Sequence, residues 1–178
     1  MKSVIIIGGG IVGLAIAREL VQKGYRKLTI LEKESTIVKH QSSRNSGVMH
    51  AGLYYKPGSL KQKLSRKGIK LMKDYCNLNS INWKECGKIV IAKNEKEENN
   101  LNELFEIGLK NNLKNIEQIS SKEISKIEPY IDAYKAIRVP EESIVDYTQV
   151  AKSFLNEVLS YGGVIKYNSK VINIEKLN

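Results

Sequence analysis

The chain has 178 residues, 42% of them hydrophobic, and a formal charge of +10. Length and apolar share suit one domain, alone or with a smaller companion, and exclude a disordered chain. The positive charge draws acidic ligands, but the lysines are scattered and the aromatic residues form no base-stacking pattern, which argues against nucleic acid.

Val4 to Ile7 is a continuous β-branched run, which predicts a central parallel strand buried on both faces. Gly8 to Gly10 break it, and a helix is expected from Ile11 to about Lys23, with Val12, Ile16, Leu20 and Val21 at helical spacing. Gly24 suits its C-terminal cap. Leu28 to Leu31 reads as a second strand ending at Glu32. Lys33 to Pro57 is irregular, and so long a structureless stretch in a compact protein is usually functional.

A helix is expected from Ser59, with Leu60, Leu64, Leu71 and Tyr75 on one face and lysines over the remainder. Ile81 to Ala92 reads as short strands around Gly87, and Glu95 to Asn112 as an amphipathic helix carrying Leu101, Leu104, Phe105 and Leu109. Ile116 to Ile119 is a short strand. The Ser-Ser-Lys-Glu string ending at Glu123 opens a short helix in a capping pattern, stopped by Pro129. Ala136 to Val139 and Ser143 to Val145 are strands. Tyr147 to Tyr161 is a helix with Val150, Phe154, Val158 and Leu159 inward, ended by Gly162 and Gly163. Val164 to Tyr167 and Val171 to Ile174 close the series as strands. The absence of a closing helix after them reads as truncation.

This order predicts an α/β fold: a Rossmann-like βαβ domain (1–47 and 145–178) interrupted by a mixed α+β segment (48–144) that carries a substrate or cap region. Cys76 and Cys86 are too few for a disulfide framework, and no metal site is expected. Both read as small buried or half-buried hydrophobes in a reducing compartment. The N-terminal apolar run is too short for a signal peptide, and no stretch approaches the ~20 apolar residues of a membrane span. A soluble, cytoplasmic chain is expected, at most peripheral to a membrane.

Gly8-Gly9-Gly10-Ile11-Val12-Gly13 satisfies GxGxxG between a strand and a helix, the context that motif needs. Gly8 permits the tight turn, Gly10 lets backbone approach a pyrophosphate, and Gly13 lets helix and strand lie close. The free N–H groups of the helix start, at Ile11 and Val12, face the phosphates. Glu32 follows about 20 residues on, where an acid accepts from a ribose hydroxyl. An acid there disfavours a 2′-phosphate and leaves the ADP half of FAD or of NAD.

The next segment separates these two. Gln41 to Leu60, with its NSGVMHAGLYYKPGSL string, resembles the D-amino-acid-oxidase-like superfamily of flavoproteins, and within it the L-2-hydroxyglutarate oxidases and dehydrogenases. The likeness continues through Cys86-Gly87-Lys88, Glu128-Pro129-Tyr130 and Ile144-Val145-Asp146-Tyr147, and so covers essentially the whole chain. It implies FAD as cofactor and a loop running beside its ring. Lys33, Ser42, Ser43, Arg44, Asn45, Ser46 and Gly47 are then cofactor-binding candidates. Ser42 to Asn45 are placed to reach the pyrophosphate and ribityl chain. Backbone at Val171 is implied to contact the adenine.

The resemblance implies oxidation of L-2-hydroxyglutarate, a 2-hydroxy dicarboxylate, to 2-oxoglutarate. His50 is the candidate base or polarising group, with Arg44 and Lys56 as secondary charges and Tyr54 and Tyr55 as either core or site aromatics. Oxygen or a quinone is the expected electron acceptor. A quinone agrees with peripheral attachment to the inner membrane through the basic helix after Ser59. Glycerol-3-phosphate dehydrogenase or amino-acid oxidase chemistry, and a non-catalytic FAD-binding fragment that needs a C-terminal half, are the alternatives.

Overall fold

The computed structural model describes residues 3–176. The outer limits expected at residues 1 and 178 lie outside the described residues. In chain order the elements begin β1 (Val4–Ile7), α1 (Ile11–Gln22), β2 (Leu28–Leu31), β3 (Val48–Met49) and α2 (Leu60–Leu78). They continue β4 (Trp83–Glu85), β5 (Lys88–Ala92), α3 (Glu95–Lys110), β6 (Glu117–Ser120) and α4 (Ser121–Ile127). The last are β7 (Lys135–Val139), β8 (Ser143–Val145), α5 (Tyr147–Ser160) and β9 (Val164–Lys166). This is an α/β protein of two units: one from residues 1–47 and 146–178, the other from 48–145.

The first unit is a parallel sheet in the order β1-β2-β9, with Val4 opposite Leu28 and Thr29 opposite Val164. Helix α1 packs with α5, where Arg18 binds Glu157 at 2.8 Å and lies over the Phe154 ring. Both helices end in Schellman motifs. Tyr25 N–H reaches Leu20 O and Gly24 N–H reaches Val21 O, while Gly163 and Gly162 repeat the pattern on Val158 and Leu159. Gly24 and Gly162 hold positive φ of 91° and 87°, which glycine adopts at little cost.

Four expectations change in this unit. Strand β1 is buried on one face only: Ile6 is in the core, whereas Ile5 and Ile7 are 63% and 55% exposed. Helix α1 turns Leu14, Ala17 and Val21 inward and leaves Val12 and Ile16 exposed. It is apolar on most sides, so spacing does not select a face, and small Ala17 permits the closer approach. On α5, Val150, Phe154 and Val158 are buried as expected, but Leu159 is exposed and Ala151 and Leu155 take the inward places. Val171 to Ile174 is not a strand. Asn173 Oδ1 accepts the Ile174 N–H at 2.9 Å, and such local side-chain bonds compete with a sheet ladder.

The second unit holds two antiparallel sheets, β3-β8-β4 and β5-β7-β6. In the larger sheet the alternation along β7 divides two cores. Ile137 and Val139 pack with Leu101 of α3, while Ala136 packs with Ile124 of α4. Helix α4 starts in a capping box formed by Ser120 and Glu123. Helix α3 buries Leu101, half-buries Leu104 and Phe105 and leaves Leu109 exposed.

Helix α2 is capped by Ser59, whose Oγ accepts from Gln62 N–H. Of the four residues expected to share one face, Leu60, Leu64 and Leu71 are exposed and only Tyr75 is buried. The helix is attached through another side: Ile69 packs on the core, Cys76 is buried, and Arg66 forms a forked ion pair with Glu141 at 2.7 and 3.2 Å. Cys86 is exposed, not buried, because it sits beside the β4–β5 turn at Gly87. Among the described residues, no helix is long and apolar enough to cross a membrane.

Candidate functional site

The glycine loop leaves β1 through Gly8, whose φ of +105° turns the chain. Its first bonds tie it to β2, with Gly8 N–H on Leu31 O at 2.8 Å. Gly9 is buried and donates its N–H to Glu32 Oε2 at 2.6 Å, while Glu34 N–H donates to Glu32 Oε1 at 2.9 Å. The acid at the end of β2 therefore organises both its own turn and the glycine loop. A carboxylate has four acceptor positions, so capacity remains for a ligand hydroxyl.

Close approach is built into this loop. A Cβ on Gly13 would stand 2.2 Å from Gly8 O, and one on Gly10 would stand 3.2 Å from Ser42 Oγ. Ser42 arrives from the loop after β2 and accepts the Ile11 N–H at 3.0 Å, which caps a helix whose own N-cap, Gly10, has no side chain.

Gly8, Gly10, Glu32, Lys33, Ser42 and Val171 line one open groove of about 390 Å³. That volume falls within the usual range for small-molecule and cofactor sites. Bare glycine backbone, a helix N-terminus and a buried acid on one wall fit the phosphate and ribose groups of a dinucleotide. The remaining sequence-derived candidates are distributed differently. Val12 is exposed, and Gly13 packs on Gly8. Ser43 Oγ donates to His40 O, and the Asn45 amide donates to Gln41 O and Ser42 O while its Oδ1 accepts from Gly47 N–H. Arg44 and Ser46 are exposed. His40, which sequence reasoning passed over, lines the same groove and bonds Glu34 Oε1 at 2.9 Å. That hydrogen bond first, and Lys39 beside it, hold the Glu34 carboxyl below its ordinary range.

The second unit carries a separate cluster around His50. The His50 side chain is 51% exposed, and its Nδ1 stands 3.3 Å from Glu142 Oε2. Glu142 is only 2% exposed, and its other oxygen, Oε1, accepts from Lys88 Nζ at 3.0 Å. Lys88 also lies over the Tyr54 ring at 4.7 Å. A cavity of about 60 Å³ is lined by His50, Gly52, Leu53, Tyr54, Tyr55 and Glu142. Tyr54 is exposed and Tyr55 half-buried, so neither is a core aromatic, and Lys56 is exposed.

The His50 turn is held from two helices. Ser65 Oγ of α2 donates to His50 O at 2.8 Å, and Asn111, at the end of α3, donates to Gly52 O and Tyr55 O at 2.9 and 2.8 Å. Asn111 and Glu142 were missed from sequence. Both sit in turn-like stretches where a polar residue is ordinarily solvated, and no spacing marks them as buried.

The chain is 51% identical over 158 residues to a protein named L-2-hydroxyglutarate dehydrogenase, mitochondrial, from Dictyostelium discoideum, covering 87% of this chain and 35% of that one. It is 43% identical over 176 residues to L-2-hydroxyglutarate dehydrogenase of Indibacter alkaliphilus, covering 98% of this chain and 44% of that one. The chain thus spans well under half the length of these relatives. Among solved structures, dithionite-reduced L-α-glycerophosphate oxidase from Mycoplasma pneumoniae with FAD bound superposes with a TM-score of 0.89 at 29% identity, over 99% of this chain and 48% of that one. Glycine oxidase from Bacillus cereus, at 23% identity and a TM-score of 0.86, shares the fold over 100% of this chain and 49% of that one. The sequence matches the FAD dependent oxidoreductase family over residues 3–178, and the chain belongs to that family.

Proposed function

We propose that this chain forms the ADP-binding part and one proton-handling wall of an enzyme that oxidises L-2-hydroxyglutarate to 2-oxoglutarate with FAD. The observation that carries the reading is the Gly9–Glu32 bond within a groove of bare glycine backbone. Identity of 51% and 43% to proteins named L-2-hydroxyglutarate dehydrogenase supports the substrate.

In this reading the loop from Gly8 to Gly13, with the backbone of Ile11 and Val12, holds the pyrophosphate, and Glu32 accepts from the adenosine ribose. Lys33 and the segment Ser42 to Gly47 flank the cofactor, and backbone at Val171 meets the adenine. FAD, when bound, supplies the acceptor for the hydride that leaves C2 of the substrate. His50 takes the hydroxyl proton, so that the C2–O bond becomes a carbonyl. Arg44 and Lys56 supply positive charge for a dianionic substrate. The electrons pass on to oxygen or to a quinone. The exposed Leu60, Leu64 and Leu71 beside Lys63, Lys67 and Lys70 support peripheral contact with an anionic membrane.

The test is anaerobic mixing of the FAD-loaded protein with candidate substrates. L-2-hydroxyglutarate is expected to bleach the flavin absorbance, and its D-enantiomer to leave it unchanged. Faster bleaching by glycerol 3-phosphate, which the likeness to the Mycoplasma oxidase makes the second reading, or by amino acids would overturn the substrate assignment.

A further inference from the structure

We propose that Glu142 is a positioning residue that holds the proton of His50 on Nδ1 and so leaves Nε2 as the nitrogen that exchanges protons. The inference rests on the reading of His50 as the proton acceptor.

A buried carboxylate is costly unless its charge and lone pairs are matched. Glu142, in the turn between β7 and β8, is matched on one side only. Lys88 occupies Oε1, whereas Oε2 is buried and receives no hydrogen bond of good geometry. The group facing Oε2 is the His50 ring, with Nδ1 at 3.3 Å, beside the small cavity that the two residues share with Tyr54 and Tyr55.

An ionised carboxylate only accepts. If Nδ1 carried a lone pair, two acceptors would face each other at an oxygen that is buried from solvent. If Nδ1 carries the hydrogen, the contact becomes attractive, and a small ring rotation converts it into a hydrogen bond. The neutral and the protonated imidazole then share the same Nδ1–H, so a proton is gained or lost only at Nε2 of this half-exposed ring. A carboxylate that fixes a histidine tautomer is a recurrent means of preparing a general base. Lys88 has a defined part here: its ammonium binds Oε1 at 3.0 Å and offsets the charge of the buried carboxylate, which leaves Oε2 for the His50 ring.

The test reads the tautomer directly. The sequence has only His40 and His50, so a His40→Asn background leaves a single ring for long-range 1H–15N correlation. In the otherwise unaltered chain, neutral His50 is expected as the Nδ1–H form, against the usual preference of a free imidazole side chain for Nε2–H. In Glu142→Gln the side-chain oxygen remains with Lys88, and the amide N–H groups turn towards His50. That places a donor opposite Nδ1 and is expected to invert the tautomer. A wild-type ring in the Nε2–H form overturns the inference, and so does a tautomer that Glu142→Gln leaves unchanged. The wild-type reading decides the matter even if the variant does not fold.

Turnover separates this inference from the one beneath it. With the FAD-loaded protein, Glu142→Gln is expected to lower kcat by about tenfold or more with KM little altered, since a wrong tautomer alone costs a comparable histidine base up to about 10⁴-fold. If His50→Gln retains full turnover while the tautomer still follows Glu142, the base assignment falls and the positioning contact stands. If His50→Gln abolishes turnover and the tautomer ignores Glu142, the base stands and the positioning role falls.

Discussion

Glu32 accepts the backbone N–H of Gly9 at 2.6 Å across 23 residues of sequence, which joins the end of β2 to the loop that leaves β1. The bond is buried and charge-assisted, and the same carboxylate also accepts Glu34 N–H. Glu32→Ala strands both donors and is expected to cost about 2–3 kcal/mol in urea unfolding. Glu32→Gln retains one acceptor oxygen and should lose about half as much. Both variants should weaken FAD retention on desalting. A Glu32→Ala chain as stable as wild type would mean that the loop is held by backbone bonds alone.

Gly13 separates packing from backbone freedom. Its added Cβ would meet Gly8 O at 2.2 Å, and neither backbone can move without opening the strand–helix turn. Gly13→Ala is therefore expected to destabilise by about 1–3 kcal/mol and to lower FAD binding. Gly68, exposed within α2 with open space around it, is the control. Gly68→Ala should stabilise by roughly 0.5–1 kcal/mol through helix propensity. Thermal unfolding of the pair checks both signs.

The glycine loop was legible in sequence because its chemistry is carried by residues adjacent in the chain. Gly8, Gly10 and Gly13 have the spacing, and Glu32 ends the next strand. The burial of β1 and the inward faces of α1 and α2 were not legible. Ile5, Val12 and Leu64 are apolar and regularly spaced, yet periodicity states only which residues share a face, not which face another element covers. The His50 cluster was half legible. His50 stands in a conspicuous string, but Glu142 reaches it across 92 residues, Asn111 reaches the turn after it across 59 and 56, and their burial follows from tertiary packing alone.

Asp146 caps α5, with Oδ1 accepting from Thr148 N–H at 2.8 Å and Oδ2 from the Gln149 amide at 3.2 Å. Desolvation opposes its ionisation, but the bonds from Thr148 and Gln149 outweigh that and hold the carboxyl below its ordinary value. A depressed folded pKa contributes stability above the unfolded value of about 3.9, and the contribution is lost as pH falls through the lower folded value. Asp146→Ala should cost about 1 kcal/mol at neutral pH. Asp146→Asn should retain most of the cap and flatten the acid limb of the stability–pH curve. An acid limb unchanged in Asp146→Asn would assign it to other carboxylates.

The cysteines are expected to differ sharply towards thiol reagents. Burial pushes the Cys76 thiol above its ordinary pKa, and the side chain is enclosed against the helix core, whereas Cys86 is exposed. One equivalent of a maleimide should label Cys86 rapidly in the native chain, and Cys76 should react only with urea present. Peptide mapping of the native reaction checks the assignment, and fast labelling of Cys76 would show that α2 detaches readily from its unit.

Asn111 is the residue on which the shape of the His50 turn depends most directly. Its amide satisfies the carbonyls of Gly52 and Tyr55 together, and Gly52 holds φ of +100°, so the turn has little alternative geometry. Its own Oδ1 is buried without a partner, so the residue is retained at a cost for the two bonds that it makes. Asn111→Ala leaves both carbonyls unpaired and is expected to destabilise by about 2–3 kcal/mol. Asn111→Asp should be worse at neutral pH, because a carboxylate then faces two carbonyl oxygens, and should partly recover as acid protonates it. Urea unfolding at two pH values distinguishes these cases. A smaller loss for Asp than for Ala at neutral pH would mean that Ser65, through its bond to His50 O, carries the turn instead.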